Sequence, residues 1–419
     1  MIPIPTRRHF LQGAGAFAGA MTLPLGGVIA QAAAELPTIP IPPPIGEAER
    51  LQRLAKARSL MARDGIGAII VEPGASLDYF TGVQWWRSER LTAAVIPAQG
   101  DPIIVTPFFE RPSVAESLAI PAEIRTWNED EEPLRLVAGF LRERKVTTEP
   151  IGFEETDRYF IFERLRQQIP GLRAVSANAI VRGCRMIKSP AELALMQAAA
   201  DITLASLRYA GQRTREGMTP ADIDAMIGAA HKRLGGAYDG GLVLLGEASA
   251  YPHGSHKPQA VKRGEVVLMD CGCSVHGYQS DISRSFIFGS DPSPEQRKVA
   301  QQVRRGQDIA MSAAKVGARA GSVDDAVRHA YESWGYGPGY KLPGTPHRTG
   351  HGIGMEGHEP VNLVHGESTL LAPGMCFSNE PGIYLPGKFG IRFEDCFYMT
   401  PSGPKFFTVP PPAIDQPWA

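Results

Sequence analysis

Val266-Val267-Leu268-Met269-Asp270-Cys271-Gly272 carries an apolar strand into a carboxylate and then a glycine-rich turn. Eleven residues after Asp270, Gly277-Tyr278-Gln279-Ser280-Asp281-Ile282-Ser283-Arg284 places a second acid just ahead of the apolar Phe286-Ile287-Phe288. Two strands joined by a turn bring such acids together, and charges without partners in a low-dielectric setting take up protons rather than stay ionised. A divalent cation resolves the conflict. The pattern recurs near the C-terminus: Glu380 follows Met375-Cys376-Phe377-Ser378-Asn379, and Glu394, fourteen residues on, follows Gly390-Ile391-Arg392-Phe393. Between the acidic pairs lie His347-Arg348-Thr349-Gly350-His351-Gly352-Ile353-Gly354 and His358-Glu359-Pro360. Glycines on both sides of His351 permit close backbone approach around an imidazole. Asp270, Asp281, His351, Glu380 and Glu394 are therefore expected to ligate a two-metal centre. The four carboxylates among them balance two divalent ions, whereas one ion would leave an excess of negative charge. Oxygen donors with one imidazole suit manganese, cobalt or zinc over a sulfur-seeking ion, and manganese is the ion expected first.

Around these motifs the chain reads as two domains. At Lys188-Ser189-Pro190, Ser189 is placed to cap a helix that Pro190 opens, with Glu192 in its first turn. Helices are expected over Ala191–Arg213, from Thr219-Pro220 to Leu234, over Pro294–Met311 and over Ser322–Trp334. Strands are expected around Val266–Asp270, Ser280–Phe288, Met375–Glu380 and Ile391–Met399. Residues 185–410 thus form an α+β domain whose helices cover a strongly curved, mainly antiparallel sheet. Residues 47–184 form an α/β domain, with helices over Glu47–Arg63 and Leu134–Arg144. Its strands are expected at Gly65–Val71, Leu91–Ile96, Ile103–Phe109 and Ile151–Phe153. Five prolines between Pro37 and Pro44 make 35–46 an extended arm, and 411–419 is a tail.

Composition narrows the function. With 43 Lys and Arg against 44 Asp and Glu, the net charge of −1 gives no basis for long-range attraction to nucleic acid. The 45 glycines and 36 prolines are scattered among apolar runs, which fits many tight turns rather than a collagen or a linker. Thr6-Arg7-Arg8-His9-Phe10-Leu11-Gln12 precedes a Gly/Ala-rich apolar segment from Gly13 to Ala30, with small residues at candidate cleavage points after Ala32 and Ala34. Residues 1–34 resemble a bacterial twin-arginine signal, implying periplasmic or secreted destination and export in the folded state. No later run of 18 uncharged apolar residues is present, so permanent membrane insertion is not expected once the leader is removed. Of the five cysteines, Cys184, Cys271, Cys273, Cys376 and Cys396, at least one is unpaired. Cys271 and Cys273 lack a partner pair at zinc-site spacing and are expected to be small core side chains.

Asp270 in MDCG, Asp281 in GYQSDISRSF, His351 in TGHGIG, Glu380 in SNEPGIY and Glu394 in RFEDC resemble the complete ligand series of metallopeptidases with the creatinase-like, pita-bread fold. Order and context are similar to the Xaa-Pro dipeptidase (prolidase) and aminopeptidase P branch. The resemblance spans roughly 47–410 and includes Tyr79-Phe80-Thr81-Gly82 and Ser88-Glu89-Arg90-Leu91 in the first domain. It implies hydrolysis of the Xaa-Pro bond of a dipeptide by water activated between two divalent ions. Aminopeptidase P action on longer peptides is the alternative. A metal-dependent hydrolase of another small amide or phosphoester is a further reading, and a catalytically silent binding module the last.

By the same resemblance, Glu380 is both ligand and proton shuttle, Asp281 and Glu394 bridge the ions, Asp270 binds one of them and His351 the other. His253 in Tyr251-Pro252-His253-Gly254 and His358 are implied to bind substrate and stabilise the reacting carbonyl, with His347 lining the proline side. Arg392 and Tyr384 are assigned supporting contacts in the substrate pocket, Arg392 through the acids. His231 and His256 receive no role. Trp85, Trp86 and residues 340–346 are placed either around substrate or in ordinary packing. A homodimer is implied, with the N-terminal domain bordering the partner's site.

Overall fold

A computed structural model describes residues 36–418; the expected leader lies outside the described residues. Helix α1 (Glu47–Asp64) packs its Leu54, Ala57 and Met61 face inward. A six-stranded mixed sheet follows, built from β1 (Ala68–Val71), β2 (Ala93–Pro97), β3 (Ile103–Pro107), β4 (Glu123–Trp127), β5 (Ile151–Phe153) and β6 (Ala174–Ser176) in the order β4-β3-β2-β1-β5-β6. Strand β1 shows why its sequence is apolar throughout. Ile69 and Val71 face the layer containing α1, while Ala68 and Ile70 face the opposite layer with Val137, Phe140 and Leu141. The remaining helices of this half are α2 (Ala75–Thr81), α3 (Arg111–Ser117), α4 (Leu134–Glu143), α5 (Tyr159–Gln168) and α6 (Asn178–Arg185).

The second half opens with α7 (Pro190–Arg213). Ser189 and Glu192 close a reciprocal capping box at its start, as the sequence implied. Next come α8 (Pro220–Leu234), β7 (Leu242–Leu245), β8 (Val266–Cys271), β9 (Ser274–Val275), β10 (Tyr278–Gln279) and β11 (Ile282–Ile287). Helices α9 (Pro294–Ala313) and α10 (Gly321–Ser333) precede β12 (Gly350–Gly352), β13 (Glu359–Leu363), β14 (Cys376–Asn379), β15 (Ile383–Leu385), β16 (Phe389–Ile391), β17 (Asp395–Thr400) and β18 (Gly403–Phe406). Two larger antiparallel sheets result, β11-β8-β7 and β13-β12-β14-β17-β18, beside the two-stranded pairs β10-β9 and β15-β16, and backbone pairing of Ser283 with Glu394 bridges the larger two. This is the mixed, mainly antiparallel architecture expected of the pita-bread fold. Among the described residues no helix is long and apolar enough to cross a membrane, and all five cysteines are buried and free.

Two expected strands are interrupted, and both breaks matter. Ser280–Phe288 reduces to β11, with Ser280-Asp281 between β10 and β11. Ile391–Met399 splits into β16 and β17, because Phe389–Ile391 pairs with β15 whereas Asp395–Thr400 pairs with β14. Arg392-Phe393-Glu394 makes the crossing. The apolar run reads as continuous because Phe393 is fully buried within the crossing itself.

Fully buried Arg284 on β11 locks the seam between the sheets. Its guanidinium donates to the Glu394 carbonyl at 2.9 Å and to Asp395 Oδ1 at 2.7 Å, and Thr408 also donates to Asp395 at 2.6 Å. Removing one member of such a pair strands the other charge in the core. Arg284→Leu is expected to lower stability by about 3–5 kcal/mol in denaturant unfolding of the metal-free protein; a loss below about 1 kcal/mol would show that the seam does not depend on it.

Candidate metal centre

The five expected ligands come together, and most stand where regular strand pairing stops. Asp270 is on β8; Asp281 precedes β11; His351 is at a register shift between β12 and β13; Glu380 follows β14; Glu394 lies in the crossing to β17. Donor atoms of Asp270, Asp281 and Glu394 lie within 4.8 Å of one another. So do those of His351, Glu380 and Glu394, and those of Asp281, His351 and His358. His351 Nε2 is 3.3 Å from Glu380 Oε1 and 3.6 Å from Asp281 Oδ2.

Local structure fixes how these donors point. Nδ1 of His351 lies 3.0 Å from the Gly352 carbonyl, which only accepts, so Nδ1 carries the proton and the Nε2 lone pair faces the acids. The glycines beside His351 make room for neighbouring strands: a Cβ on Gly350 would collide with the Ser378 carbonyl, and one on Gly352 with the Glu359 carbonyl. Ser283 Oγ donates to Glu394 Oε2 at 2.7 Å, and Ser378 Oγ to Glu380 Oε1 at 3.2 Å.

The electrostatics follow from crowding acids in a half-buried site. Burial, then Asp270 and Glu380, pushes the Asp281 carboxyl well up; burial and Asp281 do the same to Glu394. Burial raises Glu380 to about 7 even against the opposing Arg392. Burial and the neighbouring His358 lower His351 to about 3, so its imidazole is neutral. A neutral imidazole lone pair and carboxylate oxygens converging on one region form a donor set that fits a hard or borderline divalent cation.

The other expected residues separate into two groups. His358 is exposed, its ring centroid 4.0 Å from that of His351. His253 is exposed in a groove with Leu242, Leu244 and His256. His347 is partly buried, with Nδ1 3.8 Å from Glu380 Oε2. Its Nδ1 donates to the Arg348 carbonyl, so Nε2 accepts from the Tyr384 hydroxyl at 2.8 Å, which itself accepts from Arg392 at 3.1 Å. Tyr384 is fully buried, and Arg392, 3% exposed, sits behind the acids with its guanidinium on Asp270 and Ser283. His231 is buried against Thr203 and the Ile227 carbonyl. Trp85 and Trp86 stack on each other at 4.9 Å, with Trp86 exposed.

Sequence reasoning missed a brace beneath the histidine loop. Asp324 on α10 accepts from Thr349 N, Thr349 Oγ1 and Tyr340 OH, while Arg328, one turn later, donates to the carbonyls of Gly339, Thr345 and His347. The available signal was an acid–base pair at i,i+4 set directly beside the apolar Val323 and Val327. Such a pair is drawn into the buried face rather than out to solvent.

The profile of the Creatinase/Prolidase N-terminal domain matches residues 53–187, and that of Metallopeptidase family M24 matches residues 194–401. A probable dipeptidase PepE of Mycobacterium tuberculosis is 33% identical, the alignment covering 84% of this chain and 92% of the relative. The chain belongs to the M24 metallopeptidases. An Xaa-Pro dipeptidase of Lactobacillus helveticus is 32% identical over 80% of this M24 chain and 90% of its own. The crystal structure of a prolidase from Thermococcus sibiricus superposes with a TM-score of 0.78 at 27% identity, covering 86% and 96% of the two chains. This M24 protein is thus a metallopeptidase acting on a peptide substrate, with a site suited to divalent metal.

The raised Glu380 carboxyl sets a pH dependence. In the metal-free protein the fold holds this proton more tightly than the unfolded chain does, so stability falls as pH rises from about 4.5 through about 7. Cation binding needs the carboxylate and therefore strengthens over the same interval while releasing protons. Calorimetric Mn²⁺ titrations in two buffers of different ionisation heat, at pH about 6 and about 8, are expected to show weaker binding and more proton release at the lower pH. Binding independent of pH and buffer would contradict this account.

Proposed function

We propose that the protein hydrolyses the Xaa-Pro bond of dipeptides at a centre holding two divalent ions, manganese foremost. One observation carries the reading: the triads Asp270/Asp281/Glu394 and His351/Glu380/Glu394 share Glu394, an arrangement that lets one carboxylate serve two adjacent ions. Bound there, divalent ions supply Lewis acidity to water and to the scissile carbonyl. The relatives named Xaa-Pro dipeptidase and prolidase support the choice of bond.

The chain's own groups supply the remaining steps. Glu380, raised to near neutrality, takes a proton from the attacking water and passes it to the leaving proline nitrogen, which departs as a secondary amine. His358, exposed beside His351, donates to the carbonyl oxygen as negative charge develops on it. His253 and His347 border the peptide, His347 held by Tyr384 and Arg392. An Xaa-Pro bond has no amide hydrogen to grip and a fixed ring, so recognition rests on the ring and the carbonyl. Export of the folded, metal-loaded protein through the twin-arginine route is the reading that residues 1–34 support. A homodimer is the assembly that family membership supports.

Glu380→Gln is expected to lower kcat by at least about 100-fold in preparations matched for bound metal, whereas Asp281→Asn is expected to lose metal and turnover together. Equal turnover of Glu380→Gln and wild type at matched occupancy would remove the shuttle. Ala-Pro and Leu-Pro are expected to be cleaved in preference to a longer Xaa-Pro-Xaa peptide and to proline-free dipeptides. Turnover of the long peptide alone would reassign the protein to aminopeptidase P action, and faster cleavage of proline-free dipeptides would remove the proline preference. Light scattering of the active enzyme is expected to give a dimer mass.

A further inference from the structure

Directly behind His358 lies a charged cluster that the proposed chemistry does not use. The Glu359 carboxylate is turned inward, 4% exposed, and gathers the loop leading up to it. Its Oε1 accepts from the backbone amides of Met355 at 2.9 Å and Glu356 at 3.3 Å. Lys188 Nζ lies 2.9 Å from its Oε2 and Arg185 Nη2 2.6 Å from its Oε1. Burial alone would raise this acid, yet the two cations hold it at about 2, so it stays ionised throughout the working range. Arg185 closes α6 and Lys188 sits in the link to α7, so both come from the segment joining the two halves of the chain. Arg185 also donates to Ser76 Oγ on α2, at 2.9 Å.

Gly354 belongs to the same device. A Cβ there would fall 2.6 Å from Glu359 Oε2 and 2.7 Å from Oε1, so the last glycine of TGHGIG leaves the space in which the carboxylate rests. The Gly354 carbonyl accepts from Gln279 N at 2.7 Å, two residues before Asp281. The turn bearing His358 is thus fastened from inside by one carboxylate, on one flank by the joining segment and on the other by the strand that leads to a candidate ligand.

We infer that Glu359 is a positioning residue for His358: its carboxylate, seated against Gly354 and clamped by Arg185 and Lys188, holds the 354–359 turn so that the imidazole stays beside His351. The N-terminal half then takes part in catalysis through Ser76 and Arg185 without touching substrate. The inference rests on the role proposed for His358, and a double-mutant cycle keeps the two separable.

Glu359→Gln, His358→Ala and the double variant of the full metal-loaded enzyme are compared for kcat/KM on Ala-Pro, bound metal and melting temperature. Glu359→Gln is expected to retain wild-type metal content and to lose about tenfold in kcat/KM. In the His358→Ala background the same change is expected to alter kcat/KM less than about twofold. Independent, multiplying losses, or a Glu359→Gln enzyme as active as wild type, would overturn the positioning role. Unaltered turnover in His358→Ala would instead remove the role of His358 and this inference with it. If Glu359→Gln does not fold, Gly354→Ala, which crowds the same carboxylate, goes through the identical cycle and is judged by the same outcomes.

Discussion

Like charges crowded together in partial burial dominate this structure. Four carboxylates share one half-buried region, and burial with mutual repulsion drives Asp281, Glu380 and Glu394 toward protonation. Arg392 is the one cation whose side chain pairs with this group among the described ion pairs, and a single guanidinium against Asp270 does not offset the rest. The surroundings are consistent with a site built to receive positive charge from outside. Ser283 and Ser378 donate to carboxylate oxygens, His351 keeps its lone pair inward, and Arg284 ties its strand to the crossing that carries Glu394.

Much of this was legible in the sequence, because the chemistry is written in residue types that have no cheap alternative use. An acid at the end of an apolar strand, repeated four times around a glycine-flanked histidine, is an arrangement that little besides bound cations stabilises. The capping box at Ser189 and Glu192 and the all-apolar β1 were equally readable, each being a local rule with a local cause. Less was visible where the cause is tertiary. Nothing within Ile391–Met399 announces that its two ends pair with different strands; the break exists because β14 and β15 compete for them. Short strands such as the partly exposed Glu123–Trp127 and the wholly exposed Ala174–Ser176 carry too little apolar alternation to be recognised alone.

Supporting residues were harder still. Arg392 and Tyr384 could be suspected from their nearness to the motifs, but only the fold shows both buried, with the hydroxyl shared between Arg392 and His347. Asp324 and Arg328 lie outside every motif and reach the histidine loop through backbone carbonyls and amides, which leave no mark on the sequence they contact. The motif glycines were legible as requirements but not in their purpose. Gly350 and Gly352 admit neighbouring backbones, and Gly354 admits a side chain from five residues away.

That Asp281 and Glu394 occupy gaps between strands has a consequence for substitution. Their side chains contribute nothing to the backbone ladders, so exchanging them leaves the strand pairing in place, and the hydrogen bond that Ser283 donates to Glu394 is lost. Substitution at these two positions can therefore change what the cavity holds without first rebuilding the strand pairing around it.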